Sequence, residues 1–197
     1  MRYQKDTLFL RTLYDYRFLN DCRAKYSNGS SSKIRGHFWK AEGDLGYKIY
    51  DQGNISLVPY LGFGYFDFRT ISNTSWGRVS TPYATIANIA TYKAGRWSVG
   101  IDTALLMLFG GQYKQPGVTS SGAADFDFGL GCKVEIPVTY TIIPKKDRAF
   151  GVTLFLAPYY EYYNTGKTES FSMAGVEEKV KYAGGFYGGR VGIGLEF

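Results

Sequence analysis

The chain has 197 residues, 45% of them hydrophobic, with a mean hydropathy of −0.21, a bulk profile within the range of a single ordinary globular domain. Its longest dense apolar run, Ala104–Phe109, falls far short of the roughly 18 residues that a spanning helix needs. The net charge of +6 comes from dispersed basic residues, so it argues for attraction to anionic lipid head groups and against nucleic acid. The unusual features are 18 Tyr, 14 Phe and 25 Gly, which suit an all-β chain of many strands.

In chain order, Leu8–Phe18 sets Leu8, Leu10, Tyr14, Tyr16 and Phe18 against Arg11, Leu13, Asp15 and Arg17. Ile34–Ile49 sets Trp39, Ala41, Leu45, Tyr47 and Ile49 against Lys40, Glu42, Asp44 and Lys48. Ile55–Phe68 carries Leu57, Leu61, Phe63 and Tyr65 opposite Tyr60, Gly62, Gly64 and Phe66. Tyr83–Tyr92 has no clear alternation, whereas Trp97–Phe109 sets Trp97, Val99, Ile101, Leu105, Met107 and Phe109 against Ser98, Gly100 and Asp102. The clearest segment is Asp125–Tyr140. Every even position from Phe126 to Tyr140 is apolar or aromatic, and the odd positions include Lys133 and Glu135. Phe150–Tyr163 and Phe186–Phe197 follow the same period of two.

These segments predict about eight strands. The connections alternate between short ones (Asp51–Asn54, Lys93–Arg96, Pro144–Arg148) and long ones (20–33, 69–82, 110–124, 164–182). That rhythm predicts a closed antiparallel up-and-down transmembrane β-barrel, one domain over 1–197, with both termini and the short turns on the periplasmic side. A soluble barrel of the same size would put its apolar face inside. Volume decides between them, because an eight-stranded interior is just wide enough for side chains. The bulky apolar face does not fit there, while the opposite face, with Gly62, Gly64, Gly100, Gly129, Gly131, Gly151, Gly192 and Gly194, does. The apolar face is therefore assigned to lipid. Trp39, Tyr47, Trp97, Tyr140, Tyr160, Tyr162 and Tyr187 are assigned to interfacial girdles.

The chain ends Arg190-Val-Gly192-Ile-Gly-Leu195-Glu-Phe197. In order, Arg190, Gly192, Leu195 and Phe197 match the polar, glycine, apolar and terminal aromatic positions of the C-terminal assembly signal of bacterial outer-membrane proteins. In size and layout the whole chain resembles the small OmpA/OmpX-type and opacity-type barrels. The resemblance implies a Gram-negative outer-membrane location and recognition by the barrel-assembly machinery. It also implies contact with outer-membrane lipid and lipopolysaccharide. Functions in that class range over adhesion, surface protection, lipid modification and uptake of small apolar compounds. Met1–Asp6 has no apolar signal-peptide core, and for such a protein it is expected to be a mature start with an added Met1.

Three chemistries are open to these residues. The charges assigned inward are Arg11, Asp15, Arg17, Lys40, Glu42, Asp44, Asp102, Lys133, Glu135, Glu161, Arg190 and Glu196. With both signs on one face they are expected to pair and shut the lumen, since charges withdrawn from water must be paired. Phe66, Phe155, Tyr159, Tyr163 and Phe186 also point inward, and beside neighbouring glycines they are the candidate lining of an apolar ligand pocket. His37, the single histidine, is the one residue that invites a lipid A-modifying enzyme, yet Gly36-His-Phe-Trp39 carries no Ser–His–acid pattern. No catalytic, metal or cofactor residues are expected. Cys22 and Cys132 have dissimilar settings and no CxxC or His partners, so neither a bridge nor zinc is expected. The leading expectation is a monomeric, non-enzymatic surface barrel acting in adhesion or envelope integrity, with a host or surface partner for its basic loops. The alternatives are a transport or binding barrel for a small apolar compound and a lipid A-modifying enzyme.

Overall fold

The computed structural model describes residues 2–5, 8–25, 31–71, 76–115, 123–144, 151–173, 176–179 and 181–196. It is all-β and antiparallel. In chain order the strands are β1 (Arg2–Lys5), β2 (Leu8–Lys25), β3 (Ser31–Tyr47), β4 (Tyr50–Gln52) and β5 (Ile55–Ile71). Next come β6 (Trp76–Ala94), β7 (Trp97–Leu108), β8 (Gln112–Lys114), β9 (Ala123–Asp125) and β10 (Gly129–Glu135). The last are β11 (Val138–Ile143), β12 (Gly151–Lys167), β13 (Phe171–Met173), β14 (Val176–Glu178) and β15 (Lys181–Glu196).

The long strands pair with their neighbours in sequence, β2–β3–β5–β6–β7, then β10 and β11, β12 and β15. Strands β10 and β11 lie between the same two neighbours, β7 and β12. Glu135 pairs with Tyr159 and Val138 with Leu156, so the register is unbroken across the gap. The gap falls at Pro137, which has no N–H to donate to the ladder. The sequence reading of one strand there is thus one interrupted wall. At its upper end the reading fails: β9 pairs with β8, and Phe126 is buried in the core cluster rather than exposed with Phe128 and Leu130.

Two short turns match expectation. Gly53 and Gly95 sit at φ 59° and 60°, a region that costs glycine nothing and other residues strain. Beside the first, Lys48 Nζ lies 2.7 Å from Asp51 Oδ2 and holds that exposed carboxyl below its ordinary range. The predicted long loops are corrected. Strands occupy most of 20–33 and 69–82, because β2 runs to Lys25, β3 starts at Ser31, β5 runs to Ile71 and β6 starts at Trp76. Segment 110–124 contains β8 and the start of β9, and 164–182 contains β13 and β14. Hydrophobic alternation stops short of these hairpin ends, although the backbone ladder continues through them. Residues 145–150, which hold the end of the third short turn, lie outside the described residues, as do residues 116–122 of the long connection 110–124.

The polarity of the sheet is inverted relative to a water-soluble core. Leu10, Leu45, Leu61, Ile86, Ile101, Leu105, Val134, Leu154 and Ile193 are exposed, while Lys40, Asp44, Asp102, Lys133 and Glu161 are each at most 2% exposed. Inward glycines make room for large neighbours. A Cβ on Gly64 would lie 2.4 Å from the Tyr83 ring, and one on Gly192 would lie 2.5 Å from the Phe155 ring. Weak alternation in the β6 sequence has a simple cause: Thr81, Thr85 and Ala87 point inward, and Ala84 and Ala90 point outward.

Candidate functional site

The sheet is strongly curled, and its concave side holds three layers. Laid flat, β2 and β15 would be seven strand spacings apart, roughly 34 Å. Yet Arg190 Nη2 on β15 lies 3.7 Å from Asp15 Oδ2 on β2.

The middle layer is ionic. Arg11 reaches Asp44 Oδ2 at 2.6 Å through Nε, Asp102 Oδ2 at 2.7 Å through Nη1, and Glu42 Oε1 at 3.5 Å through Nη2. Asp102 then meets Lys133 at 3.5 Å, and Lys133 meets Glu135 at 3.8 Å. Glu135 pairs with Arg190, which reaches Glu161 at 3.4 Å as well as Asp15. Glu161 closes the chain by accepting from Lys40 Nζ at 2.5 Å and Arg17 Nη2 at 2.9 Å, and Arg17 also pairs with Asp15. Eleven of the twelve residues assigned inward thus form one connected network of five cations and six carboxylates. The side chain of the twelfth, Glu196, lies outside the described residues.

Sequence reasoning missed the tyrosines that complete this layer. Tyr60 accepts from Arg11 at 2.8 Å and donates to Asp102 Oδ1 at 2.6 Å, and Tyr83 donates to Glu42 Oε2 at 2.8 Å. The signal for Tyr60 was its inward phase beside Gly62. Tyr83 gave none, because its strand lacked alternation.

Above the ions lies an aromatic layer. Phe66 packs on Tyr163 at 4.7 Å between ring centroids and on Phe38 at 5.7 Å, and Phe186 sits 4.8 Å from Phe38. Tyr83 joins at 6.3 Å from Phe66. Phe38, Phe66, Tyr83 and Tyr163 are each 0% exposed. The five rings proposed as a pocket lining are therefore divided. Phe66, Tyr163 and Phe186 fill space against one another. Tyr159 lies among the ions, with the Arg17 and Arg190 guanidiniums 4.8 and 4.5 Å from its ring, and Phe155 occupies the room left by Gly192. Sequence phase gave direction but not height along the strand, which is what separates these rings.

Below the ions, at the short-turn end, Phe9 and Val58 roof a cavity of about 180 Å³ ringed by Ser56, Thr91, Ser98 and Thr139.

His37 lies on the convex face, where its Nδ1 is 3.0 Å from Tyr16 Oη and its ring packs edge-on to Phe18. Neither contact supplies a nucleophile–base–acid relay. Cys132 is an exposed free thiol on the same face, and the Cys22 side chain lies outside the described residues. Of the terminal motif, Arg190 is in the ionic layer, Gly192 faces Phe155, Leu195 pairs with Val152 through the backbone, and Phe197 lies outside the described residues. Compared with family models, curated proteins and solved structures, the chain matches none of them.

Proposed function

We propose that this chain is an integral bacterial outer-membrane protein: an eight-stranded, closed up-and-down β-barrel with a sealed lumen and a non-enzymatic surface role in adhesion or envelope integrity. The observation that carries the reading is the inverted polarity, an eleven-member ionic network on the concave face and Leu, Ile, Val and aromatic side chains on the convex one. An exposed apolar surface of that extent is untenable in water and suits a bilayer, where each buried aliphatic side chain contributes about 1.5–3 kcal/mol. Closure follows from the same solvent, since an open strand edge in lipid leaves its N–H and C=O groups unsatisfied. Strand β1 covers the free edge of β2 only over Leu8–Arg11; beyond it, side chains of β2 and β15 already meet through Asp15 and Arg190 and through the Arg17 guanidinium, 5.3 Å from the Phe186 ring. The stacked ionic and aromatic layers leave no role for the lumen as a wide pore.

A surface role fits the strand lengths. Crossing a bilayer takes roughly 9–11 tilted residues, whereas β5 has 17 and β6 has 19. Tyr47, Tyr92 and Trp97 mark the lower interface beside the short turns, so the excess length rises as a β-walled rim on the opposite, outer side. The test is refolding from urea by dilution into plain buffer, into detergent and into lipid vesicles. Folded monomer in detergent and vesicles, with aggregation in buffer, is the expected result. A monodisperse folded monomer in plain buffer overturns the assignment.

A further inference from the structure

Four neighbouring strands place basic residues directly opposite one another on the convex face. His37 on β3 pairs with Arg69 on β5, Arg69 with Arg78 on β6, and Arg78 with Lys114 on β8. Like charges in directly opposed positions destabilise a sheet, and here three permanent cations and a histidine occupy one row about 15 Å wide at the usual strand spacing. Among the described residues, one carboxylate pairs with the row: Asp67 is 3.5 Å from Arg69 Nε and also pairs with Arg78 Nε. Asp67 is itself buried, although its phase points to the convex side, so the two guanidiniums cover it. Both ion pairs use Nε, which holds the arginines side by side, and the Arg69 side chain stays 56% exposed. Arg35, exposed one rung above His37, adds a further cation. Asp125 lies on the rung below, at the β9 flank.

The surroundings of the row state what kind of anion would sit there. One rung below it is Trp39, opposite Asp67, and Trp39 packs on Tyr65 at 5.5 Å and stacks with Tyr14 at 6.4 Å. Aromatic side chains of this kind mark the level of lipid head groups. Lower still, six residues from His37 and so roughly 20 Å down the strand, Thr12 faces Gly43 and Gly43 faces Phe63. Thr12 and Gly43 leave a shallow groove edged by Leu10, Leu45, Leu61 and Phe63, and a Cβ on Gly43 would touch nothing within 4 Å. Cations, an aromatic shelf and an apolar groove follow one another down a single face.

We propose that this face binds a phosphorylated, multiply acylated glycolipid of the outer leaflet. Its phosphates would lie on the Arg69–Arg78–Lys114 row and one acyl chain would run over the aromatic shelf into the Gly43 groove. The inference rests on the outer-membrane reading above. Guanidiniums suit phosphate because their planar forks give charge-assisted, bidentate contacts. Phosphate occupancy also relieves the repulsion that the row otherwise carries, so the lipid acts as a missing structural counter-ion.

The test uses the full chain refolded in detergent, with bound lipid counted by native mass spectrometry. The probes are bis-phosphorylated lipid A and the same lipid with both phosphates removed, and inorganic phosphate serves as competitor. The wild type should hold the phosphorylated form about tenfold more tightly, a preference that weakens with added salt. Arg69→Gln/Arg78→Gln should erase the preference, and Lys114→Gln should reduce it. Gly43→Leu should weaken both lipids several-fold and leave their ratio unchanged, since it touches only the acyl groove. Inorganic phosphate alone should compete poorly, because it lacks the chain. Equal binding of the two lipids by the wild type, or an unchanged ratio in the folded double variant, overturns the proposal. If the double variant does not fold, the wild-type ratio and Lys114→Gln decide. Failure of the parent reading is separate: it would appear as a folded wild type in buffer without any detergent.

Discussion

The concave and convex faces of these strands are made by alternate residues of the same segments, yet opposite rules govern them. On β3, Lys40, Glu42 and Asp44 are buried and paired, Lys40 with Glu161 across the interior and the two carboxylates with Arg11 on neighbouring β2, while Ala41, Gly43 and Leu45 between them are exposed. The concave face is specified by partners: each charge there is tolerable only because a named group of opposite sign meets it. The convex face is specified by solvent, and almost any apolar residue serves. Substitutions should therefore act through geometry and charge inside, and through transfer free energy outside.

The largest effect is expected at Glu161, which is 0% exposed and takes contacts from Lys40, Arg17 and Arg190. Glu161→Leu leaves three cations without that partner and should cost about 3–5 kcal/mol, the usual penalty for breaking a buried pair from one side. Urea titration in lipid vesicles, read by tryptophan fluorescence, measures it. A loss under 1 kcal/mol would mean that water or ions, rather than Glu161, neutralise the layer.

Next come the positions that the proposed function assigns to lipid. Val134 is exposed midway along the β10–β11 wall, whereas Leu154 is exposed on the rung of Tyr140 and Trp97, at the level assigned to the lower interface. Val134→Arg should cost about 2–4 kcal/mol in vesicles, as an arginine near the bilayer midplane does, and Leu154→Arg only about 0–1 kcal/mol, as one near an interface does. The same titration in detergent micelles, where the head-group region is close by, should show a smaller loss for Val134→Arg. Equal losses for the two variants in vesicles would place Val134 away from the membrane centre.

How much of this was legible in the sequence depended on the same contrast. Alternation between Leu105 and Asp102, or between Val134 and Lys133 and Glu135, exposes a strand and its two faces because only one side meets apolar surroundings. It even picked out the members of the ionic network, since a charge in inward phase has nowhere else to go. It could not say that Arg11 would choose Asp102, 91 residues away, because partner choice depends on register and curl. Nor could it follow β2 past Phe18 or β3 back beyond Ile34, where the alternation ends although the backbone pairing continues to Lys25 and Ser31. The convex basic row was invisible for a related reason: His37, Arg69, Arg78 and Lys114 are dispersed in sequence and become neighbours only through pairing.

The smallest pair of effects isolates space from charge. Gly64 and Gly43 are both mid-strand glycines, one inward and one outward. A Cβ on Gly64 would press into Tyr83, 2.4 Å from the ring and 2.5 Å from its hydroxyl. Tyr83 cannot retreat, because it is 0% exposed, packs beside Phe66 and donates to Glu42. Gly64→Ala should therefore cost about 1–3 kcal/mol by overpacking. Gly43→Ala meets open space. Losing a glycine from a strand should stabilise it there, by up to about 0.5–1 kcal/mol, through the smaller backbone entropy lost on folding. Opposite signs from the same chemical change, read in one set of vesicle titrations, are the expected result. A neutral Gly64→Ala would show that the lumen has slack around Tyr83, and a destabilising Gly43→Ala would show that something already occupies the convex groove.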